Sequence, residues 1–511
     1  MSSLPAQTTD VYDIAVIGGG VNGTSIARDA AMRGLRVYLC EQGDLAEATS
    51  SNSSKIIHGG LRYLENYEFK MVRKALKERE ILLNIAPHLI TPLGFVLPHA
   101  KHLRPRWLVR LGLFLYDNLY RSKLVPRTVS TSLEGTSAGR PLKKTCKKGF
   151  IYGDAWGDDA RIVILTAKSA AEYGATIATR TMCTEAKHKD GKWHITTETA
   201  GKQSTVKAKA LVNATGPWAE SFLKDVGMAK QSKPLRLVKG SHIVVPRLFN
   251  HPNAYTLQTE DGRVVFVFPY EKSFSLIGTT DTPFEGNPDD ADLDGKEAQY
   301  LCEVVNRYFR EQTTPADVIW QYSGVRPLID TSKDSAEKSA SKASRDYSLQ
   351  FMADISLLNI WGGKLTTHRQ LAKDALDTLA NVFPGLPGCE THQTPLPGGN
   401  MAQGDLPRLL RRLQGRCPWL PSNTATRMVH AYGTLCDDIL KGCESRQCLG
   451  QHFGGGLYQK EVDHLVKNEW AQTAEDILWR RTKLGLHTSL AEQTALKDYL
   501  KTRPKGQAHA G

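Results

Sequence analysis

The chain has 511 residues, 41% of them hydrophobic and 23% charged, a composition that argues against disorder and allows two or three globular domains. Its formal charge of +13 raises nucleic acid and anionic membrane surfaces as partners. Nine cysteines with no C-x-x-C pair and an odd total suggest neither a disulfide framework nor a zinc ribbon, so a reducing compartment and no metal site are expected.

Residues 1–10 carry neither the basic nor the apolar region of a signal peptide, and no run of about 18 apolar residues offers a membrane span. The protein is therefore expected to stay in the cytoplasm. Residues 11–42 read as strand, glycine turn, helix, strand. Gly18, Gly20 and Gly23 fall in the G-x-G-x-x-G spacing between an apolar run at 13–17 and helical periodicity at 24–33, and a second strand at 35–40 ends at Glu41. Gly18 permits the tight turn, Gly20 lets the backbone approach a pyrophosphate, and Gly23 lets helix and strand pack closely; the phosphates then face a helix N-terminus, whose unpaired N–H groups favour anions. Glu41, 18 positions after Gly23, can accept both ribose hydroxyls and argues against a 2′-phosphate, so FAD or NAD is favoured over NADP.

Residues 48–65, A-T-S-S-N-S-S-K-I-I-H-G-G-L-R-Y-L-E, place Ser50, Ser51, Ser53 and Ser54 in a loop ahead of His58 and Arg62. Such hydroxyls can bind phosphates or a ring edge, or cap their own backbone. A helix follows at 68–86, prolines alternate with apolar residues at 87–105, and 106–120 is apolar with sparse charge. Between 101 and 148 there are twelve Lys or Arg against Asp117 and Glu134, which concentrates the excess charge there. A strand at 150–158 leads into a helix at 159–173, and 176–197 reads as paired strands around the Asp190-Gly191 turn signal. Residues 210–218 form a buried strand ending at Gly216, where a second crossover could pass the dinucleotide. The β-rich stretches 235–246, 263–270 and 273–280 lack intervening helices and predict an antiparallel sheet in a separate domain. Residues 330–346 read as a polar loop. A strand at 357–361 then runs through Gly362 and Gly363 into a helix from about 365 to 382, a second helix N-terminus suited to an anion or a ring edge. Residues 384–399 read as a linker, and 406–500 as helical, most periodically at 474–484; no solenoid repeat is present.

The motifs I-G-G-G-V-N-G, S-S-K-I-I-H-G-G-L-R-Y-L-E, G-S-H-I-V-V-P, I-G-T-T-D, Y-S-G-V-R-P-L and G-G-K-L-T-T-H-R occur in this order across residues 10–485. Together they resemble the FAD-dependent, aerobic respiratory glycerol-3-phosphate dehydrogenases of the D-amino-acid-oxidase-like flavoprotein group. That resemblance implies an α/β fold: a Rossmann-type FAD-binding domain, an antiparallel-sheet substrate domain and a C-terminal helical domain. The corresponding segments are 1–90, 145–230 and 315–385 for FAD; 91–144 and 231–314 for the substrate or cap domain; 386–399 for the linker; and 400–511 for the helical domain. It further implies non-covalent FAD, oxidation of sn-glycerol 3-phosphate to dihydroxyacetone phosphate, and electron delivery to ubiquinone. Asn22, Leu365 and Thr366 would join the cofactor site, and Tyr63 and Thr280 the substrate site. Trp361 stands where the family commonly has Phe.

An alcohol bearing a phosphate needs cations to hold a dianion, and Arg62, Arg326 and Lys364 stand beside glycine-rich or turn segments. By resemblance Arg326 matches the arginine that binds the substrate's anionic group. His58 lies four residues before Arg62 and would share a helical face with it unless Gly59 and Gly60 break the geometry; it is a candidate general base, as are Tyr63, Lys364 and His368. An FAD oxidase acting on a glycerol phosphate or an amino acid, and a nucleic-acid-binding flavoprotein, are the competing readings. The cation cluster disfavours an amino acid, and the lack of aromatics at 121–148 disfavours nucleic acid. The apolar residues Trp107, Leu108, Leu111, Leu113, Phe114, Leu115 and Tyr120, flanked by Arg104, Arg106, Arg110, Arg121, Lys123 and Arg127, instead predict peripheral attachment to an anionic surface, the inner face of the cytoplasmic membrane. A homodimer is left open.

Overall fold

A computed structural model describes residues 11–100, 104–228, 230, 232–260, 262–329 and 346–502. The polar loop expected at 330–346 falls almost wholly outside them, as do Lys101 and residues 1–10. Two sheets organise the chain. In the first, the spatial order is Ser348–Met352, Leu357–Trp361, Lys202–Asn213, Val11–Ile17, Val37–Cys40 and Thr176–Ala178, with every neighbouring pair parallel except the first. This is the doubly wound arrangement in which a ligand sits beyond the carboxyl ends of the strands. The crossover at its centre is a meander: Thr181–Lys189 and Lys192–Thr199 pair around Asp190 and Gly191, both with positive φ, and the latter strand pairs with the first half of Lys202–Asn213.

Helices Val21–Met32, Asp159–Glu172 and His368–Thr378 pack together against this sheet. Their contact face is built from small residues, Ala27, Ala30, Ala31, Ala167, Ala170, Ala372 and Ala375, all buried. Small side chains let the helix axes approach closely, which brings the N-termini of the first and last helices together over the strand ends.

The second sheet has ten strands. Its centre, Leu235–Pro246, lies antiparallel to both Phe274–Gly278 and Trp320–Ile329. Alternation sorts its side chains: Ile243 and Val245 meet the capped helix Gly295–Tyr308, while Val244 faces the cluster beneath helices Phe69–Ile85 and Arg106–Leu119. Lys148–Gly157 and Trp320–Ile329 both belong to this sheet, so the chain passes between the two sheets inside the segments 145–230 and 315–385.

The C-terminal helices Leu406–Arg416, Ser422–Tyr432, Gln459–Asn468 and Leu490–Thr502 enclose a core of their own. The periodic stretch at 474–484 is shorter than a regular helix there: it is a π-helical turn, Asp476–Arg481, whose two arginines point into the neighbouring domain. The segment expected as a linker is a packed strap. Leu396 is buried and its N–H donates to Ile85 O at 2.8 Å, Arg28 donates to Thr394 O at 2.7 Å, and Thr434 N donates to Gly398 O at 3.0 Å.

Candidate active site

Strand Val11–Ile17 ends at Gly18, which takes φ 112°; a Cβ there would come within 2.5 Å of Ala214 O, so glycine alone fits. A Cβ on Gly23 would run into Gly18 O, whereas one on Gly20 would meet only the Ser50 hydroxyl at 3.1 Å. The side of Gly20 away from that serine is thus left open by the protein. The helix that begins here has no acidic residue in its first turn, so its positive end faces no carboxylate of its own. Glu41 Oε2 accepts from Gly19 N at 2.6 Å and Oε1 from Gly43 N at 2.9 Å, which leaves each oxygen a lone pair for a hydroxyl. Burial pushes this carboxyl's pKa up, while the two N–H groups pull it down.

Asn22 ties this turn to the second glycine pair. Its Nδ2 donates to Gly362 O at 3.0 Å, and Gly363, at φ 119°, lies so close that a Cβ would come to 2.7 Å from Asn22 Nδ2. Asn22 Oδ1 is buried with no protein partner, an acceptor placed for a ligand donor. Gly216, with φ 59°, opens the short turn after the central strand. Leu365 starts the turn that leads into helix His368–Thr378, and Thr366 Oγ1 accepts from His58 N at 3.1 Å.

The serine loop is largely engaged with the protein itself. Ser50 Oγ accepts from Val21 N at 3.0 Å, capping the first helix; Ser51 Oγ reaches Ala48 O at 3.4 Å; Ser53 Oγ donates to Asp159 at 2.8 Å; and Ser54 Oγ meets His242 Nε2 at 2.9 Å. Ser50, Ser53 and Ser54 also line a cavity of about 790 Å³ between the two sheets, and Ser51 does not.

The same cavity receives His58, Arg62, Tyr63, Thr280, Arg326 and the run Gly362, Gly363, Lys364, Leu365, Thr366. His58 and Arg62 do not share a helical face, because Gly60 takes a left-handed φ of 78° and the 3₁₀ turn Leu61–Asn66 starts only after it; both reach the cavity from either side of that turn. Lys364 Nζ sits 4.2 Å from the centre of the Tyr63 ring and 3.5 Å from Met71 Sδ. Among the described residues neither Arg62 nor Lys364 has a carboxylate partner. Arg326 differs: it donates to Thr280 O at 2.9 Å and lies 3.4 Å from Asp281 Oδ1. The Thr280 hydroxyl is buried and donates to Glu297 at 2.8 Å, so this residue reaches the cavity through the arginine its carbonyl orients.

Two histidines change places relative to the sequence reading. His368 is buried outside the cavity lining, with Nδ1 2.7 Å from Ser25 Oγ, and burial beside Arg369 and Arg28 lowers its pKa to about 3. His242, which the sequence reading did not single out, lines the cavity, stacks on Tyr322 at 4.7 Å, and is held well below the usual histidine pKa by burial and by Lys55 and Arg326. The available signal was a lone imidazole in an otherwise apolar strand, G-S-H-I-V-V-P.

A glycine-turn cradle on a doubly wound sheet, opening into a cation-lined cavity, defines a dinucleotide-dependent oxidoreductase. The chain belongs to the FAD-dependent oxidoreductases, and within them to the glycerol-3-phosphate dehydrogenase family: the model of the FAD dependent oxidoreductases matches residues 13–343, and that of the C-terminal domain of alpha-glycerophosphate oxidase matches 389–502. The glycerol-3-phosphate dehydrogenase of Pseudomonas aeruginosa is 48% identical over 97% of this chain and 96% of its own length. The D-erythritol 1-phosphate dehydrogenase of Brucella abortus is 47% identical, covering 96% and 98%. The structure of the glycerol-3-phosphate dehydrogenase from Bacillus halodurans complexed with FAD is similar with TM-score 0.74 and 26% identity, over 97% of this chain and 95% of that one. FAD is the cofactor, and the residues fit it: an open Gly20, a helix start without acids, the Glu41 carboxylate and the unpartnered Asn22 oxygen run in sequence toward the cavity.

Proposed function

We propose that the enzyme oxidises sn-glycerol 3-phosphate to dihydroxyacetone phosphate and passes the electrons through FAD to ubiquinone at an anionic membrane surface. The observation that carries the substrate reading is the pair of cavity cations, Arg62 and Lys364, that have no carboxylate partner among the described residues. A phosphate dianion supplies the missing charge, with Arg326 as the third cation, already oriented by Thr280 O. When bound, FAD supplies the two-electron acceptor for the hydride of C2. The proton of the C2 hydroxyl goes to an imidazole, His242 or His58, both of which line the cavity. Tyr63, with Lys364 Nζ over its ring, forms the wall beside the phosphate end. Gly18, Gly20, Asn22, Gly23 and Glu41 hold the adenosine diphosphate half, and Gly216, Gly362, Gly363, Leu365 and Thr366 the flavin half.

The 47% identity to a D-erythritol 1-phosphate dehydrogenase makes that longer alditol phosphate a second substrate reading. For the electron acceptor, helix Arg106–Leu119 matters. It exposes Trp107, Leu111, Phe114 and Leu115, and Leu108, Leu111 and Leu115 also line the cavity. The apolar face and the cavity are contiguous, so a lipid-borne quinone can reach the site without a spanning helix. Among the described residues no helix is long and apolar enough to cross a membrane. Rates of flavin bleaching with glycerol 3-phosphate, D-erythritol 1-phosphate and glycerol, followed by reoxidation with a quinone analogue or oxygen, test the reading. Equal bleaching by glycerol and its phosphate would refute the cation assignment, and rapid peroxide formation would favour an oxidase.

A further inference from the structure

The loop 41–47, which begins with Glu41, is gripped from outside by the C-terminal helices. Asp44 has no solvent exposure; its carboxylate accepts from both terminal nitrogens of Arg481 and, at 2.5 Å, from Arg480 Nε. Arg480 also binds Asp476 at 2.6 Å, and Asp476 takes Arg180 through contacts of 2.8 and 2.9 Å. Arg180 returns to the loop, since its backbone N–H donates to Gly43 O at 2.8 Å while Gly43 N donates to Glu41. The circuit therefore runs from Glu41 through Gly43, Arg180, Asp476 and Arg480 to Asp44, the residue next to Gly43. Behind it, Arg481 donates to Glu469 O, and the Glu469 carboxylate pairs with Arg161, both fully buried.

This is unlike surface pairing. Asp44, Asp476 and Arg481 are completely buried as side chains and Arg480 is 7% exposed. Leu45 and Ala46 already seat the middle of the loop in the first domain's core; the grip fastens the polar part beside Glu41, which in a connection between elements would otherwise be freer to move. A hydrogen bond to a ligand hydroxyl gains from an acceptor already in place, because ordering it on binding costs affinity.

We infer that the Asp476–Arg481 turn of the C-terminal domain is a positioning element for the adenosine end of the FAD site, acting through Asp44 and Arg180 on Glu41. The inference rests on Glu41 meeting the ribose, and the experiment separates the two. Asp44→Asn strands two buried arginines and can fail to fold; Arg180→Gln removes a partly exposed partner and keeps the test open. Each is made in the native and the Glu41→Gln background. FAD affinity of the apoprotein is titrated by flavin fluorescence, amide exchange of residues 41–47 is followed in the apoprotein, and KM for glycerol 3-phosphate is measured at saturating FAD. Glu41→Gln is expected to weaken FAD about tenfold, the loss of one charge-assisted hydrogen bond. Arg180→Gln is expected to speed exchange in the loop and weaken FAD severalfold in the native background, with little further loss on Glu41→Gln and no change in KM. Equal losses in both backgrounds would reduce the junction to general stabilisation and overturn the inference. Unchanged affinity in Glu41→Gln would overturn it at its root, by removing Glu41 from the ribose.

Discussion

Two of the clusters of cations, one at a domain junction and one in the cavity, have surroundings that could hardly differ more. At the junction with the C-terminal domain, Arg161, Arg480 and Arg481 are buried against Glu469, Asp44 and Asp476, with every charge matched across the boundary. In the cavity, Arg62 and Lys364 have no acid partner among the described residues, while Arg326 leans on Asp281. Matched buried charges lock a geometry and give little net stability relative to an apolar replacement, yet they cost much when one partner is removed. Unmatched cations at a cavity wall stabilise nothing until an anion arrives. The first cluster holds, and the second waits for a ligand.

Breaking one member of each cluster sharpens this contrast. The largest effect is expected from Arg161→Met, which takes from the buried Glu469 its bidentate partner and leaves His464 at 3.9 Å, at a cost of about 3–5 kcal/mol; the thermal midpoint should fall steeply, and an unchanged midpoint would show that the junction holds little. Arg326→Ala should leave flavin content and midpoint nearly intact while lowering kcat/KM for the phosphate substrate roughly tenfold to a hundredfold, the worth of one charge-assisted bond of about 1.5–3 kcal/mol. Steady-state kinetics checks this, and a loss confined to stability would invert the assignment.

Acid discriminates next. Against the opposing pull of burial, Arg481 and Arg180 hold the Asp476 carboxyl at about 2, below its ordinary 3.8. Its contribution, ~2 kcal/mol by linkage, is complete above the unfolded value and lost as the pH falls through the folded one. His88 and His368, both lowered to about 3 by burial from 6.5, add to the loss from about pH 6.5 downward, because the unfolded chain takes their protons first. Midpoints measured from pH 7 to 3 should therefore decline progressively, and less so in His88→Gln. The smallest change is expected at Arg104, whose ion pair with Glu65 spans 3.6 Å between exposed side chains. Arg104→Ala should cost under about 1 kcal/mol of stability and weaken binding to anionic vesicles by about 1 kcal/mol, read by co-sedimentation at low salt.

Legibility in the sequence followed the range of the cause. The glycine turn, Glu41 and the Asp190-Gly191 hairpin are local, because a tight turn or a left-handed φ constrains the residue that adopts it. The cavity cations were found through their glycine neighbours. Asp44, Arg161, Glu469 and the Asp476–Arg481 turn escaped, since an ion pair between residues 44 and 481 leaves no spacing to read and a periodic window at 474–484 looks like any amphipathic helix. His242 escaped for the opposite reason, as the apolar strand around it reads as core. The helical relation between His58 and Arg62 failed on one backbone angle, at Gly60.

The strap at 386–399 bears on whether the C-terminal helices can swing away from the rest of the chain. Two lobes on a free tether can open like a clasp to admit their cargo. Here the tether is fastened on both sides, to Ile85 and Arg28 on one and to Thr434 on the other, and the clasp is shut. The cavity is lined by residues of 60–69 and of helix Arg106–Leu119 and by none of the strap, so a fixed tether leaves the way into it untouched.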